Sequence, residues 1–384
     1  MSGRPERNKL RVLHQRFSSA NNAFAYIDEG VEAGWRSLGA TVQPWLDEPG
    51  QPSLAEILES FQPTHVLGAL QTPKRGAWRW MTDPRSLDAL ARAHDAGAFV
   101  ALRTDPSNIR SLFAAKQFDV ARYREMGVSS YYTQPDRPTR EELRVFELGV
   151  VDLLRSPLSR LCYDRCFASY LKLGLPILEE PFAADDTRYQ PLSAGDIEYD
   201  ALFIGSCWPF KWANMEAYID ALRAAFGQRF AVFGAGWPEG VSKGQLSEVA
   251  FAPTVASARV NISLHEPTQV AGFPFAPNER VFKLLALGAV VVSDPNPMLA
   301  DLFDDGTELV LASDAQGMAR VVRSLVDDPR RARDMAHAGR ERVLRDHTYR
   351  VRAQRLLDVA SDPDLRSGVI PCLNPSRAEV GAGA

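Results

Sequence analysis

Between His265 and Lys283 the chain reads HEPTQVAGFPFAPNERVFK, which gathers one histidine, two acids, three prolines, an asparagine and two cations in nineteen residues. Its end runs on as LLALGAVVVSDP, an amphipathic helical pattern stopped by Gly288 and followed by an apolar strand. Asn278 stands where an N-cap belongs, which puts Arg280 in the first helical turn. The helix dipole disfavours a cation there unless an anion shares the site. Bound pyrophosphate is the chemistry this spacing points to, because leading backbone N–H groups and the dipole both favour an anion. A surface ion pair is the alternative role for Arg280. The prolines stiffen the loop and leave fewer conformations to lose when a ligand binds.

Two other loops carry related signals. GSCWPFKW (Gly205 to Trp212) follows an apolar strand, with Gly205 allowing close backbone approach and Lys211 near the next helix start. Lys211 reads as a phosphate contact or as a solvated lysine. GAGWPEG (Gly234 to Gly240) follows another strand. It departs from the dinucleotide fingerprint, because its third glycine is at 240 and Pro238 interrupts an immediate helix. Gly236 and Trp237 read as a wall for a nucleotide base, with Trp237 stacking on it, or as a packed turn. In open α/β sheets ligands bind outside the carboxyl ends of strands, where all three loops fall.

In the first half, Asp105 ends the strand pattern AFVALRTDP. It reads either as a catalytic base or cation stabiliser, or as a helix cap before Pro106. His14, on the first strand, and Asp28, after SSANNAFAYIDEG, are the other candidates. His94 and His347, on helical patterns, read as structural.

The elements that position these residues alternate. Strand patterns at Arg11 to Phe17, Thr41 to Trp45, Thr64 to Leu70 and Ala98 to Pro106 are interleaved with helical patterns at Asp28 to Leu38, Ser53 to Phe61 and Pro84 to Ala96. A second series follows. It has strands at Asp200 to Ser206, Arg229 to Gly236, Arg259 to His265 and Thr307 to Ser313, and helices at Trp212 to Phe226, near Thr254 to Ala258, at Ala315 to Val326 and at Pro329 to Asp346. Such alternation predicts parallel sheets covered on both faces. Between the two series, Arg140 to Leu154 and Pro157 to Leu173 read as helices, and the polar, aperiodic Glu179 to Asp196 as a linker.

At 384 residues, two domains are expected. The composition, 45% hydrophobic and 24% charged with a formal net charge of -4, is that of a soluble globular protein and excludes a generally basic nucleic-acid binder. Local arginine-bearing stretches, Arg103 to Arg110 and Arg137 to Arg144, leave a nucleic-acid acceptor open. No apolar run approaches the roughly 20 residues that span a bilayer, and MSGRPERNKL lacks the marks of a signal peptide. A cytoplasmic location is therefore expected, consistent with four reduced cysteines. Cys162 and Cys166, four apart, have no second pair or histidine to complete a zinc set and read as packing.

The order of IGSCWPFKW, VFGAGW, NERVFKLLALGAVVVSDP, DLFDDGTELVLAS and the helix after His347 resembles the nucleotide-sugar domain of group 1 GT-B glycosyltransferases, particularly the spore-maturation CgeB-like branch. The likeness covers residues 181 to 360 best. It implies an α/β protein of GT-B architecture, with two doubly wound Rossmann-like domains facing a cleft. The corresponding boundaries are 1–180 for the acceptor-side domain, 181–196 for the linker, 197–346 for the nucleotide-sugar domain, 347–360 for a closing helix and 361–384 for a flexible tail.

The resemblance further implies that a nucleoside diphosphate sugar is the donor substrate, with a hydroxyl acceptor of unspecified class, no separate cofactor and no metal. Stereochemical retention is part of the same analogy. On it, Gly205, Lys211, Gly236, Trp237, His265, Asn278, Arg280 and Lys283 form the donor side, and Asp105 and His14 supply catalytic groups. The Asp-x-Asp at Asp362 and Asp364 lies in the tail. Related sequences carry a glutamate, associated with ribose hydroxyls, where this chain has Lys283. A lysine donates but accepts no hydrogen bond, so three readings stay open: phosphate contact, an unusual donor, or impaired turnover. An epimerase or phosphorylase on the same scaffold, and a nucleotide-sugar-binding protein without turnover, are the rival functions.

Overall fold

The computed structural model describes residues 9–17, 22–70, 77–104, 138–192, 195–207, 209–265 and 277–372. Asp105 lies outside them. The described chain forms two compact units, the first from residues up to 104, 138–181 and 349–372, the second from 182–348.

The first unit is built on β1 (Arg11–Arg16), β2 (Thr41–Leu46), β3 (His65–Ala69), β4 (Phe99–Arg103), β5 (Leu153–Ser156) and β6 (Ile177–Glu179). The second contains β7 (Tyr199–Ile204), β8 (Phe230–Phe233), β9 (Ala258–Ser263), β10 (Val291–Ser293) and β11 (Val310–Leu311); β12 (Val369–Ile370) returns to the first. The sheet orders are β12-β6-β5-β4-β3-β1-β2 and β11-β10-β9-β7-β8. Every pairing is parallel, in register such as Val12↔Val42 and Leu202↔Asn261. Strands buried on both faces need continuous apolar runs, as FVAL in β4 and VVV before Ser293 supply. In each sheet the strand order reverses beside the unit's first strand, between β1 and β3 and between β7 and β9. Such a reversal opens a crevice at the carboxyl ends of the two strands.

Local signals explain the helix ends. Ser53 caps Leu54–Phe61 in a capping box with Glu56, Asp83 caps Pro84–Asp95 with proline in its first turn, and Gly97 at φ 95° stops that helix. The stretch Arg140 to Leu154 departs from the helical expectation. Its helix ends at Glu147, Gly149 turns the chain at φ 67°, and Leu153–Ser156 becomes β5. Pro157 to Leu173 is likewise broken, into a 3-10 turn and two single-turn helices around Phe167, whose ring meets Tyr163 and Tyr170 edge-on at 5.1 and 5.8 Å. Aromatic packing overrides the helical period there.

The helix Tyr349–Ser361 docks on Asn22–Ser37 in the first unit. A Cβ at Gly34 would stand 2.4 Å from the Tyr349 carbonyl oxygen, so only glycine admits this approach. Among the described residues no helix is long and apolar enough to cross a membrane.

His65 on β3 packs between Trp35 and Phe99, at ring distances of 5.5 and 5.9 Å. Burial pushes its imidazole down from the ordinary 6.5 to about 4, with Asp152 acting weakly against the shift. Between these values the unfolded chain binds a proton that the folded chain refuses. Stability therefore falls as pH drops through the window, by up to about 3 kcal/mol from this group. Denaturant titrations at pH 7 and pH 4.5 are expected to show the loss in the wild type and a smaller one in His65→Gln.

Candidate functional site

The second unit's crevice lies between the ends of β7 and β9. Past β7, the Gly205 N–H donates to the Phe233 carbonyl at 2.8 Å and the Cys207 N–H to the Ala235 carbonyl at 2.8 Å, so the loops after β7 and β8 run together. This contact requires glycine. Gly234 has φ 138° and a Cβ there would be 2.1 Å from the Gly205 carbonyl oxygen; Gly236 has φ 77° and a Cβ there would be 2.0 Å from that of Cys207. Trp237 locks the turn: its indole N–H donates to the Gly205 carbonyl at 2.8 Å, and its ring meets Phe203 and Trp212 edge-on. The structure thus places Gly236 and Trp237 in the packed turn, half-buried in the case of Trp237.

Arg280 reaches into the crevice from the helix Glu279–Ala286. Its guanidinium carbon lies 4.5 Å from the centre of the Phe203 ring on β7, and Nη1 donates to the Leu264 carbonyl just past β9 at 3.3 Å. A Cβ at Gly205 would fall 2.5 Å from Nη2. The strand-end glycine therefore makes room for the arginine head. Asn278 occupies the N-cap position, but its side chain does not cap. Its amide donates to the Leu264 carbonyl at 3.2 Å and accepts from the Ser263 hydroxyl at 3.4 Å. The first helical turn consequently keeps a guanidinium and no side-chain cap, an arrangement that suits an anion.

His265 is fully buried beside Asp294, which follows β10. Its Nδ1 lies 2.6 Å from Asp294 Oδ1, and its backbone N–H donates to Oδ2 at 2.9 Å. The Asn214 amide holds the His265 carbonyl at 3.1 Å. Nδ1 as donor to the carboxylate fixes the ring, leaving Nε2 buried without a hydrogen-bond partner among the described residues. Sequence reading picked out His265 but missed Asp294, Asn214 and Phe203. An acid placed directly after a buried apolar strand was the available signal for Asp294.

Lys211 is half-buried on Pro209–Phe226. Its charge acts on buried Cys207, whose thiol burial nevertheless pushes up to about 11. Lys283 is one turn along from Glu279, 2.7 Å from its carboxylate, with its ammonium 5.2 Å from the Tyr189 ring centre. Both side chains are about nine-tenths buried, at 11% and 10% exposure. Breaking so buried a pair by removing one side costs about 3–5 kcal/mol. Lys283→Glu, which sets like charges four apart, is expected to destabilise at least as much as Lys283→Met, and Glu279→Gln/Lys283→Met to recover much of the loss. Denaturant midpoints of the three variants check this.

In the first unit His14 is buried between two carboxylates, with Nδ1 3.3 Å from Glu32 and Nε2 3.8 Å from Asp28. Burial opposes ionisation of Glu32, yet hydrogen bonds from His14 and Arg16 prevail and bring its carboxyl down to about 2. Burial raises Asp28, against the pull of His14 and the Phe17 N–H. His14 thus belongs to a satisfied ionic cluster beneath the end of β1.

Residues 215–358 match the family model described as glycosyl transferase-like. No curated protein matches the chain in sequence. Solved structures of similar fold include an α-glucosyltransferase in complex with UDP, with TM-score 0.60 and 9% identity over 92% of this chain and 100% of that one. A glycosyltransferase from Rickettsia africae gives 0.58 and 11%, covering 92% and 98%. HepE of Anabaena, in complex with UDP and glucose, gives 0.52 and 12%, covering 92% and 99%. The two Rossmann-like sheets share the GT-B fold of these structures, and the match over residues 215–358, most of the second unit and the start of the helix after it, relates that part of the chain to the glycosyl transferase-like family.

Proposed function

We propose that the enzyme moves a sugar from a nucleoside diphosphate sugar to a hydroxyl acceptor, with retention of configuration and without a bound metal ion. Arg280 carries this reading. Its guanidinium touches the ends of both strands that flank the crevice, at the start of a helix whose N-cap side chain is turned elsewhere. As the glycosidic bond breaks, negative charge grows on the departing diphosphate. A fixed cation and the positive end of the helix dipole oppose that charge without rearrangement, which is the role a metal fills elsewhere. Lys211, on the helix after β7, is proposed to add charge to the same anion. That solved structures of similar fold are in complex with UDP supports a nucleoside diphosphate donor.

For the group that assists the acceptor we propose Asp105, following β4. His14, with a carboxylate at each ring nitrogen, would serve to hold its cluster together and not as the acceptor's base. The acceptor is a small molecule, a glycan or a modified polymer; a nucleic acid is included among polymers by the arginine-bearing segments of the first domain.

A nucleotide-sugar-binding protein without turnover is the second reading, favoured by Lys283, whose charge is already committed to Glu279. A thermal-shift panel of nucleoside diphosphates and their sugars, begun with UDP, followed by release assays with EDTA present, separates the two. Stabilisation with EDTA-insensitive sugar release supports the transferase, and the anomer seen by NMR tests retention. Stabilisation with no release under any condition supports the second reading. No stabilisation by any nucleotide contradicts both.

A further inference from the structure

At the amino ends of the second sheet, away from the crevice, lies a recess of about 330 Å³. That is at the lower end of the roughly 300–1,000 Å³ occupied by small-molecule sites. Its walls are apolar: Leu192, Ile197, Val255, Leu287, Leu325 and Ala332 among others. Leu192 remains 48% exposed and Val249, three residues before the lining Ala252 on Glu248–Ala256, 87% exposed. Large apolar side chains left in water around a concavity mark an interaction site.

The mouth is charged with one sign in excess. Arg259 and Arg333 both line the recess. Arg259 shares the Asp200 carboxylate with Arg229, at 3.3 and 2.9 Å, so two cations face one acid. Arg333 uses Nε on the Pro329 carbonyl at 3.2 Å, a contact that leaves its charge unneutralised.

We infer that this recess binds a single-chain anionic amphiphile, with hydrocarbon against the apolar walls and a carboxylate or phosphate head between Arg259 and Arg333. Concavity selects a detached molecule over a membrane surface, because a bilayer takes up protruding side chains whereas this pocket takes in one chain. The site stands independently of the donor reading, since it shares no residue with the crevice.

Titration calorimetry with dodecanoate below its micellar concentration tests the inference, with dodecyltrimethylammonium as the opposite charge. Dodecanoate should bind one to one, at least tenfold more tightly than the cation. Ala332→Trp should abolish binding by filling the recess, and Arg333→Glu should weaken it about tenfold. Ala336→Leu, a smaller filling of the same wall, replaces Ala332→Trp if circular dichroism shows that variant misfolded. Equal affinity for both charges, unchanged binding in the filled variants, or binding only to phosphatidylglycerol vesicles would overturn the proposal.

Discussion

Gly205→Ala is expected to weaken nucleoside diphosphate binding about 10- to 100-fold while leaving the fold almost as stable as before. The new methyl meets the far end of a flexible side chain, 2.5 Å from Arg280 Nη2, so the arginine head moves and the backbone stays. Losing one charge-assisted hydrogen bond to the diphosphate corresponds to about 1.5–3 kcal/mol, which sets the fold-change. Arg280→Ala should match it. Gly234→Ala gives the opposite split. There the methyl would strike the Gly205 carbonyl at 2.1 Å with φ at 138°, so strain of about 1–3 kcal/mol falls on the fold itself before any steric clash is counted. Calorimetric affinity and denaturant midpoint, measured on all three variants, show whether function and stability separate as described. Equal affinity in Gly205→Ala and wild type would remove Arg280 from the donor site.

Asp294→Ala is expected to destabilise the protein by about 3–5 kcal/mol. The carboxylate is fully buried and accepts from both the backbone N–H and Nδ1 of His265, at 2.9 and 2.6 Å. Its removal strands both donors in an apolar interior, where neither reaches water. The damage should also reach the site, because the segment it anchors includes Leu264, whose carbonyl holds both Arg280 and Asn278. Asp294→Asn keeps the volume and one acceptor oxygen and should retain part of the stability. Chemical denaturation checks the order wild type, Asn, Ala; a loss below 1 kcal/mol in Asp294→Ala would show that the pair is incidental.

Much of this arrangement is legible in the residue order. Strict βα alternation, Gly97 as a stop and Ser53 with Glu56 as a capping box are local signals, and local geometry obeys them. Arg280 in a first helical turn was conspicuous because the dipole opposes it. What escaped depends on contacts between distant segments. Leu153 and Leu154 look like the end of a helix until Gly149 and the neighbouring β4 and β6 claim them for a strand. Trp237 offers a stacking face in sequence, yet Phe203 and Trp212, 34 and 25 positions away, receive its ring. Lys283 stands out as a substitution in a motif, but only the helix shows Glu279 one turn earlier, ready to neutralise it. Asp294 gains meaning only when β9 and β10 lie side by side.

The central claim is that Arg280 holds the donor's diphosphate, and the most direct measurement is a comparison of UDP with uridine on wild type and on Arg280→Ala. In the wild type UDP should bind at least tenfold more tightly than uridine, through the charge at the helix start. In Arg280→Ala that advantage should shrink by about 1.5–3 kcal/mol while uridine affinity is unchanged. An advantage for UDP that survives intact in Arg280→Ala would contradict the account.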